Sequence, residues 1–224
     1  MLALLKKKWR HVAYNISEGG LRQVLQKVTN RVREFVRSGE GWDIYYLDVR
    51  EYAMEIDEQC RSERADFAHL KRIGYSKAIA FPEHIRERFA TGATCHVLYV
   101  GETWVTVRWT IPNILPIVDG VAIHEDGAMG VFDGVTPPEH RRRGYGTQSH
   151  IIAAHHGKST GMNYVLGAVD SGNIPSIKSL KKAGYRFAFR LDKKVRFGRL
   201  TVVESQHSAD FLLLKQSVAK RNLS

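Results

Sequence analysis

The sequence predicts a mixed α/β fold with one central sheet, and three observations support this prediction. Helix-like and strand-like segments are interleaved along the chain. The second half runs in the order strand, helix, strand, helix, strand, which is typical of a sheet flanked by helices. With 224 residues and 43% apolar side chains, the chain can bury a sizeable core without a disulfide or a structural metal.

The cysteine content and the lengths of the apolar runs exclude several classes of protein. Cys60 and Cys95 are too few for a disulfide framework or a four-cysteine zinc site. No apolar run approaches the roughly 18 residues that a membrane-spanning helix needs. Residues 1–5 are apolar and precede three lysines, which is the reverse of a secretory signal, so we expect a cytoplasmic protein.

The first long element is a predicted helix over residues 21–37, bounded by Gly19-Gly20 and by residues 38–41. Its apolar residues recur at helical spacing, and its basic residues lie outside that stripe. Such a basic amphipathic helix packs on its own domain, pairs with a second copy as a homodimer, or lies on a membrane surface. We therefore treat residues 1–41 as an N-terminal extension and expect peripheral membrane contact, if any, through residues 1–37.

The residue types in each segment after residue 41 predict the order of the helices, strands and turns. Residues 42–49 are rich in aromatic and β-branched side chains and predict a strand. Pro82 suits the first turn of a helix, and Gly101-Glu102 suits a two-residue hairpin turn. The remaining elements are expected as helices at 60–74 and 82–90, strands at 94–100 and 103–110, a loop at Pro112 and Pro116, a turn at 125–127, a strand at 128–136, a helix at 145–157, a strand at 164–169, a helix at 174–183, and a hairpin of 185–190 and 195–204 that turns at 192–194.

The net charge of +11 is concentrated at the two ends of the chain. Residues 1–37 contain nine basic and two acidic residues, and residues 186–224 contain nine and three. The middle is nearly neutral, with sixteen basic and eighteen acidic residues. Basic ends attract anionic partners or simply keep a protein soluble. Nucleic-acid binding is the weakest interpretation, because no nucleic-acid-binding motif is present.

Residues 131–147 form the segment with the clearest chemistry. A predicted strand enters a proline-bounded loop that contains Arg141, Arg142, Arg143, Gly144 and Gly146, and the loop opens directly into a helix. Glycines allow a ligand to approach the backbone closely, and the first N–H groups of a helix have no partner within it. The helix dipole and the arginines favour negative charge, so the segment predicts a phosphate or pyrophosphate site. It matches neither a Walker loop nor the dinucleotide glycine pattern.

The same segment resembles a known family. Arg141-x-x-Gly144-x-Gly146, preceded by Thr136-Pro137-Pro138-Glu139, is similar to the signature of the GNAT superfamily of N-acetyltransferases. A second block, residues 173–185, is similar to that family's Asn-x-x-Ser segment with its later Lys-x-Gly-Tyr. The resemblance covers about residues 94–190. It implies a mostly antiparallel sheet that splays between two strands, with a GNAT domain at 42–204 and a basic tail at 205–224.

The resemblance also implies a cofactor and the residues that hold it. Acetyl-CoA or another acyl-CoA would lie between strand 131–136 and strand 164–169, with a β-bulge at Gly134. Its pyrophosphate would bind the N–H groups of the loop, and its pantetheine arm would bind backbone groups of the strand. The cofactor-binding residues implied in this way are Val135, Thr136, Arg141, Arg142, Arg143, Gly144, Tyr145, Gly146, Thr147, Asn173 and Ser176.

The catalytic acid and base are less well defined by the sequence. The family's usual Tyr acid is replaced by Leu180, its usual strand Glu is replaced by Gly130, and Tyr185 is expected in the core. The remaining candidates for the base are Asp133, Glu125 and His124, and a base acting through ordered water is an alternative. We expect no metal, because the adjacent His155-His156 pair would point in different directions on a helix.

The leading prediction is therefore an acyl-CoA-dependent N-acyltransferase that moves an acetyl group to a primary amine of a small-molecule or sugar acceptor. Trp104, Trp109 and His96 are candidates for an acceptor pocket, although core packing is the commoner fate of such residues. The first alternative is a CoA-binding sensor or interaction module without turnover, since the usual acid and base are missing. The second alternative is nucleic-acid binding.

Overall fold

The computed structural model of the protein describes residues 41–75, 82–118, 121–196, 199–209 and 211. The predictions for residues 1–40, which include the amphipathic helix, the membrane contact and the dimer face, lie outside the described residues. Most of the predicted basic tail lies outside them as well. Among the described residues, no helix is long and apolar enough to cross a bilayer.

A mixed eight-stranded sheet forms the centre of the fold, with the strand order β2-β3-β4-β5-β6-β1-β7-β8. All neighbouring pairs are antiparallel except β5 and β6, which are parallel. Four helices flank the sheet within the described residues. The strands are β1 (Gly41–Asp48), β2 (Cys60–Ala65), β3 (Thr94–Val100), β4 (Thr103–Val118), β5 (Val121–Val135), β6 (Tyr164–Asp170), β7 (Arg186–Arg196) and β8 (Arg199–Ser205), and the helices are α1 (Phe67–Arg72), α2 (Pro82–Ala90), α3 (Tyr145–Ser159) and α4 (Ile174–Lys182).

Apolar side chains from both faces of the sheet build the core. On one face, residues of β1, β5 and β6 pack against α3 and α4, with Ile151 and Leu180 almost fully buried. On the other face, residues of β3 and β4 pack against α1 and α2 around the fully buried Trp109. The mixed α/β fold with helices on both faces of the sheet therefore agrees with the sequence prediction.

The first strand lies in the interior of the sheet rather than at its edge. β1 pairs with β6 on one side, where Trp42 lies opposite Asp170, and with β7 on the other, where Gly41 lies opposite Asp192. The predicted strand 42–49 is confirmed, and its apolar residues explain its place, because both of its faces are covered.

The hairpin at Gly101-Glu102 and the helices at 82–90, 145–157 and 174–183 are also confirmed within one or two residues.

Two sequence predictions before β5 are wrong. The expected helix 60–74 is instead the edge strand β2 followed by the short helix α1, which Asp66 caps by accepting from the His69 N–H at 2.7 Å. Polar and charged residues are common on edge strands, because they discourage pairing with other chains. The loop expected at Pro112 and Pro116 is part of β4. β3 no longer pairs with β4 there, and the β4–β5 ladder shifts register beside each proline, the kind of irregularity at which a strand tolerates proline.

Two predicted turns are also absent. The turn expected at 125–127 lies within the continuous strand β5, where Gly127 adopts φ +74° and its N–H donates to Asn113 Oδ1 at 3.0 Å. The turn expected at 192–194 lies within β7, which pairs with β8 as far as Arg196 opposite Arg199. In both places, pairing with a neighbouring strand outweighs the local turn preference of the residues.

Candidate functional site

A wedge opens between the two parallel strands. β5 and β6 pair from Ala128 opposite Tyr164 to Val131 opposite Gly167, and both strands continue beyond the last pair. Past that point β5 stays paired with β4, and β6 stays paired with β1. We call the space between residues 132–135 and 168–170 the wedge. It lies at the carboxyl ends of both strands, where the sheet offers unpaired backbone groups to a ligand.

A β-bulge starts this divergence. Val107 of β4 lies opposite Val135 of β5, whereas Trp109 lies opposite Phe132, so β5 carries one extra residue in the interval. Asp133 adopts φ +43°, a left-handed conformation that is uncommon for a residue other than glycine. A bulge of this kind bends its strand and leaves one residue outside the ladder. It lies between Phe132 and Val135 and so includes Gly134, the position at which the resemblance implied a bulge.

The loop after β5 carries a run of unused N–H groups. Arg142 adopts φ +64° and Gly144 φ +86°, and Gly144 is the N-cap residue of α3. Among the described residues, none accepts a hydrogen bond from the backbone N–H groups of residues 142–146. Arg142 and Arg143 are exposed, whereas Arg141 Nε donates to the Thr136 carbonyl at 3.1 Å. This arrangement of successive N–H groups at a helix N-terminus suits an anion.

The start of α4 lies at the same end of the sheet, because α4 follows directly after β6. Asn173 caps the helix by accepting from the Ser176 N–H at 3.2 Å. α3 and α4 approach closely at Gly146, where an added Cβ would lie 3.1 Å from Ser179 Oγ. The first turn of α3 thus contacts the second half of α4, while the first turn of α4 follows the carboxyl end of β6. The side-chain oxygen of Asn173 is already used as a cap within the protein.

The floor of the wedge is polar, which the sequence did not indicate. Arg108 of β4 donates to Ser149 Oγ of α3 from Nε at 3.1 Å and from Nη2 at 2.9 Å. Its guanidinium lies directly against Gly134, where an added Cβ would be 2.1 Å from Cζ. Burial lowers the pKa of Arg108 to about 10. The only signal in the sequence was Gly134 itself, whose missing side chain makes room for the guanidinium.

His150 and Tyr185 complete this floor. His150 Nε2 lies 3.1 Å from Arg108 Nη2, and the two rings of His150 and Tyr185 are 5.3 Å apart. Burial lowers the pKa of His150, so its imidazole is neutral, and burial raises the pKa of Tyr185. The sequence placed Tyr185 in the core, and it is buried there. We call Arg108, Ser149, His150 and Tyr185 the floor cluster.

Asp133 points away from the floor, towards α2. Its carboxylate is ion-paired with Arg88, and the carboxylate side chain is 52% exposed. Arg88 in turn lies over the rings of Trp109 and Phe132, at 5.1 Å and 5.7 Å from their centroids. Asp133 is thus the one candidate base that the structure places at the wedge. Arg88 is a neighbour that sequence reasoning did not find, since α2 carries no readable motif.

The other two candidate bases lie far from the wedge. Glu125 and His124 are eight and nine residues before Asp133 on β5, which corresponds to roughly 25 Å or more of extended strand. Glu125 accepts a hydrogen bond from the Tyr164 hydroxyl at 2.7 Å. Both residues line a cavity of about 230 Å³ together with apolar residues of β6 and β7. An amine held at the bulge is out of reach of both side chains.

The positions of the missing acid and base have structural explanations. Leu180 is buried in the core on the α3 side, where a hydroxyl would have to be accommodated among apolar side chains. Gly130 accepts no side chain, because an added Cβ would lie 1.9 Å from the Ile114 carbonyl oxygen. The chain therefore uses both positions for packing.

The expected acceptor-pocket residues on β3 and β4 are largely internal. Trp109 is fully buried, and His96 is a buried residue whose Nε2 lies 3.1 Å from Thr110 Oγ1 and 3.2 Å from His156 Nδ1. Burial lowers the pKa of His96 to about 3. Within the described part of the chain, no group of three or more His, Cys, Asp or Glu side chains is arranged to hold a metal ion.

Comparison with known proteins gives structural neighbours only. No family model matches the chain, and no curated protein matches it. A Bacillus subtilis acetyltransferase in complex with CoA is 12% identical, with 66% of this chain and 99% of that chain covered and a TM-score of 0.43. A GNAT-family acetyltransferase from Colwellia psychrerythraea is 12% identical, with 76% and 57% covered and a TM-score of 0.49.

A further neighbour is an aminoglycoside acetyltransferase from an uncultured soil metagenomic sample, in complex with sisomicin. It is 13% identical, with 58% of this chain and 90% of that chain covered and a TM-score of 0.43. The chain spans less than two thirds of the length of several neighbours, among them a functionally unknown Staphylococcus epidermidis protein of which 57% is covered. Three of these four neighbours are described as acetyltransferases, one of them in complex with CoA, whereas the open mixed sheet and its four flanking helices are properties of this structure itself.

Proposed function

We propose that the protein is an acyl-CoA-dependent N-acyltransferase that transfers an acetyl or related acyl group to a primary amine of a small-molecule or sugar acceptor. One observation carries the proposal. The wedge between β5 and β6 opens towards the start of α3, where five successive backbone N–H groups have no acceptor among the described residues. A ligand that combines a pyrophosphate with a long, narrow arm fits this combination of an anion site and a slot.

The residues present fit a bound acyl-CoA. The N–H groups of residues 142–146 would hold the pyrophosphate, with Arg142 and Arg143 adding charge at the exposed rim and Arg141 fixing the loop. The backbone of Val135 and Thr136 lies along the wedge, where the pantetheine arm would lie. Thr147 in the first turn of α3, and Asn173 and Ser176 at the start of α4, are within the same end of the sheet and would contact the cofactor from its sides.

The thioester supplies an activated acyl carbon, and the protein supplies orientation and charge. The amine nitrogen would add to the acyl carbon to form the C–N bond, the C–S bond would then break, and the leaving thiolate would take up a proton. The bulge leaves backbone N–H groups near Asp133 outside the ladder, where they would stabilise the developing oxyanion. Asp133 would accept the proton of the attacking amine, either directly or through water, with Arg88 fixing the carboxylate.

A CoA-binding sensor without turnover is the second candidate function. The observation that favours it is the use of Leu180 and Gly130 for packing at the positions of the family's acid and base. The two functions differ in one measurement, the consumption of acetyl-CoA or another acyl-CoA in the presence of a panel of amines. Binding without consumption would favour the sensor.

The experiment that tests the cofactor site compares two glycine variants. Gly144→Val should reduce CoA affinity at least tenfold in calorimetry, because Gly144 adopts φ +86° at the centre of the loop and a β-branched side chain distorts it. Gly161→Val is the matched control, since Gly161 adopts φ +77° just beyond the other end of α3 and an added Cβ there also meets no atom within 4 Å. Equal CoA affinity in both variants and the wild type would refute the assigned loop.

A further inference from the structure

We propose that the wedge accepts an acyl group with a terminal carboxylate, of the malonyl or succinyl type, whose charge is bound by the floor cluster. This inference rests on the proposed function and specifies its acyl donor. It follows from three properties of the floor: its excess positive charge, its unpaired donors, and its place under the wedge.

The first property is charge. Arg108 and Arg88 both lie at the bulge, and Asp133 is the carboxylate that interacts with each of them. Asp133 is ion-paired with Arg88, whereas the hydrogen-bond partners of Arg108 in the described structure are Ser149 and His150, which are neutral. At the bulge, the single negative charge of Asp133 therefore balances only one of the two positive charges of Arg88 and Arg108. A guanidinium held in a crevice without its own carboxylate is suited to an anionic ligand.

The second property is a set of unused donors. His150 Nε2 accepts from Arg108, so the proton of the neutral imidazole is on Nδ1. Nδ1 is buried and has no hydrogen-bond partner in the described structure, and the same is true of the Tyr185 hydroxyl. Both side chains are 3% exposed. Buried polar groups are rarely left unpaired, so two of them beside a guanidinium point to a ligand with several acceptor oxygens.

The third property is position. The Arg108 guanidinium lies against Gly134, on the β5 side of the wedge, and the Tyr185 ring is 4.0 Å from an added Cβ at Gly167, on the β6 side. Gly167 also forms the last pair before the strands separate. The floor cluster therefore bridges the closed end of the wedge, beside the bulge where the thioester would lie.

A carboxylate fits this site better than an acetyl methyl group does. A carboxylate has two oxygens that accept several hydrogen bonds, and it pairs with the planar donors of a guanidinium. A methyl group at the same place would leave the Arg108 charge and both unpaired donors without a partner. The inferred donor is thus a short dicarboxylic acyl thioester rather than acetyl-CoA.

The test measures binding of CoA, acetyl-CoA, malonyl-CoA and succinyl-CoA to the full-length protein by calorimetry. The wild type should bind malonyl-CoA or succinyl-CoA about tenfold or more tightly than acetyl-CoA, which is the effect of one good charge-assisted interaction. Arg108→Gln should reduce this preference, the ratio of the dicarboxylic to the acetyl thioester affinity, to about twofold or less. Arg142→Gln, which removes the same charge from the exposed loop, should weaken all four ligands equally.

Tyr185→Phe removes one hydroxyl without changing the ring, and it should reduce the preference partly, so it provides the test if Arg108→Gln does not fold. Equal wild-type affinities for acetyl-CoA and both dicarboxylic thioesters would overturn the inference while leaving the proposed function intact. A preference that survives in the Arg108→Gln and Tyr185→Phe variants would also overturn it. Failure of all four ligands to bind would refute the proposed function and this inference with it.

Discussion

Gly134→Ala gives a direct test of how the guanidinium of Arg108 is held. The new Cβ would lie 2.1 Å from Arg108 Cζ, and ordinary contact begins near 3.4 Å, so the guanidinium must move by about 1.3 Å. A shift of this size away from Ser149 breaks hydrogen bonds of 2.9 Å and 3.1 Å. Hydrogen bonds to a charged group contribute about 1.5–3 kcal/mol, so the loss is of that order.

Two effects set the expected size of the change. Gly134 does not adopt a positive φ, so alanine is not strained there, and its lower freedom in the unfolded chain stabilises by about 0.4–1 kcal/mol. We therefore expect Gly134→Ala to lower the free energy of unfolding by about 1–2 kcal/mol. In an Arg108→Ala background no guanidinium is displaced, and the same substitution should stabilise by about 0.4–1 kcal/mol.

The assay is urea denaturation of the wild type, both single variants and the double variant, followed by tryptophan fluorescence. The difference between the two backgrounds is expected at about 1.5–3 kcal/mol, well above the roughly 0.5 kcal/mol error of additivity. The reasoning fails if Gly134→Ala changes stability by the same amount in both backgrounds. That result would mean that the guanidinium does not occupy the space left by Gly134.

Two further predictions concern titration and catalysis. Burial lowers the pKa of His96 to about 3 in the folded protein. Between about pH 6.5 and pH 3, the His96 side chain therefore binds a proton in the unfolded chain but not in the folded one. Stability should therefore fall between pH 6.5 and pH 3, and His96→Gln should flatten that slope in acid denaturation; an unchanged slope in this variant contradicts the reasoning. Asp133→Asn should slow acyl transfer about 100-fold at unchanged CoA affinity, measured by thiol release with an accepted amine; an unaltered rate contradicts its role as base.

Much of the fold could be predicted because its elements carry strong local patterns. The alternation of 94–110, the glycine and proline boundaries of α2, α3 and α4, and the apolar run of 42–49 each predicted an element that the structure has. The failures share one cause. β2, the end of β4 and the turn region of β5 have weak or contrary local preferences, and pairing with a strand elsewhere in the sequence decides their conformation.

The candidate site also has one part that the sequence predicts and one part that it does not. The loop around Gly144 could be recognised because all its residues are consecutive, and a local motif is readable without a fold. The floor cluster could not, because Arg108, His150 and Tyr185 come from three separate parts of the chain, Arg108 and His150 belong to no motif, and Tyr185 ends a motif in which it was expected only as a core residue. Only the approach of β4, α3 and the segment after α4 brings them together.

The interior place of β1 has a consequence for synthesis of the chain. Trp42 pairs with Asp170, and Gly41 pairs with Asp192. The central strand β1 therefore emerges from the ribosome about 130–150 residues before the strands with which it pairs. At roughly 5–20 residues per second, this apolar segment is unpaired for on the order of 10 s. Until β6 and β7 have been synthesised, both edges of β1, with the sequence GWDIYYLD, can pair with strands of other nascent chains. Correct assembly of this part of the sheet therefore requires that β1 be protected from such pairing during translation.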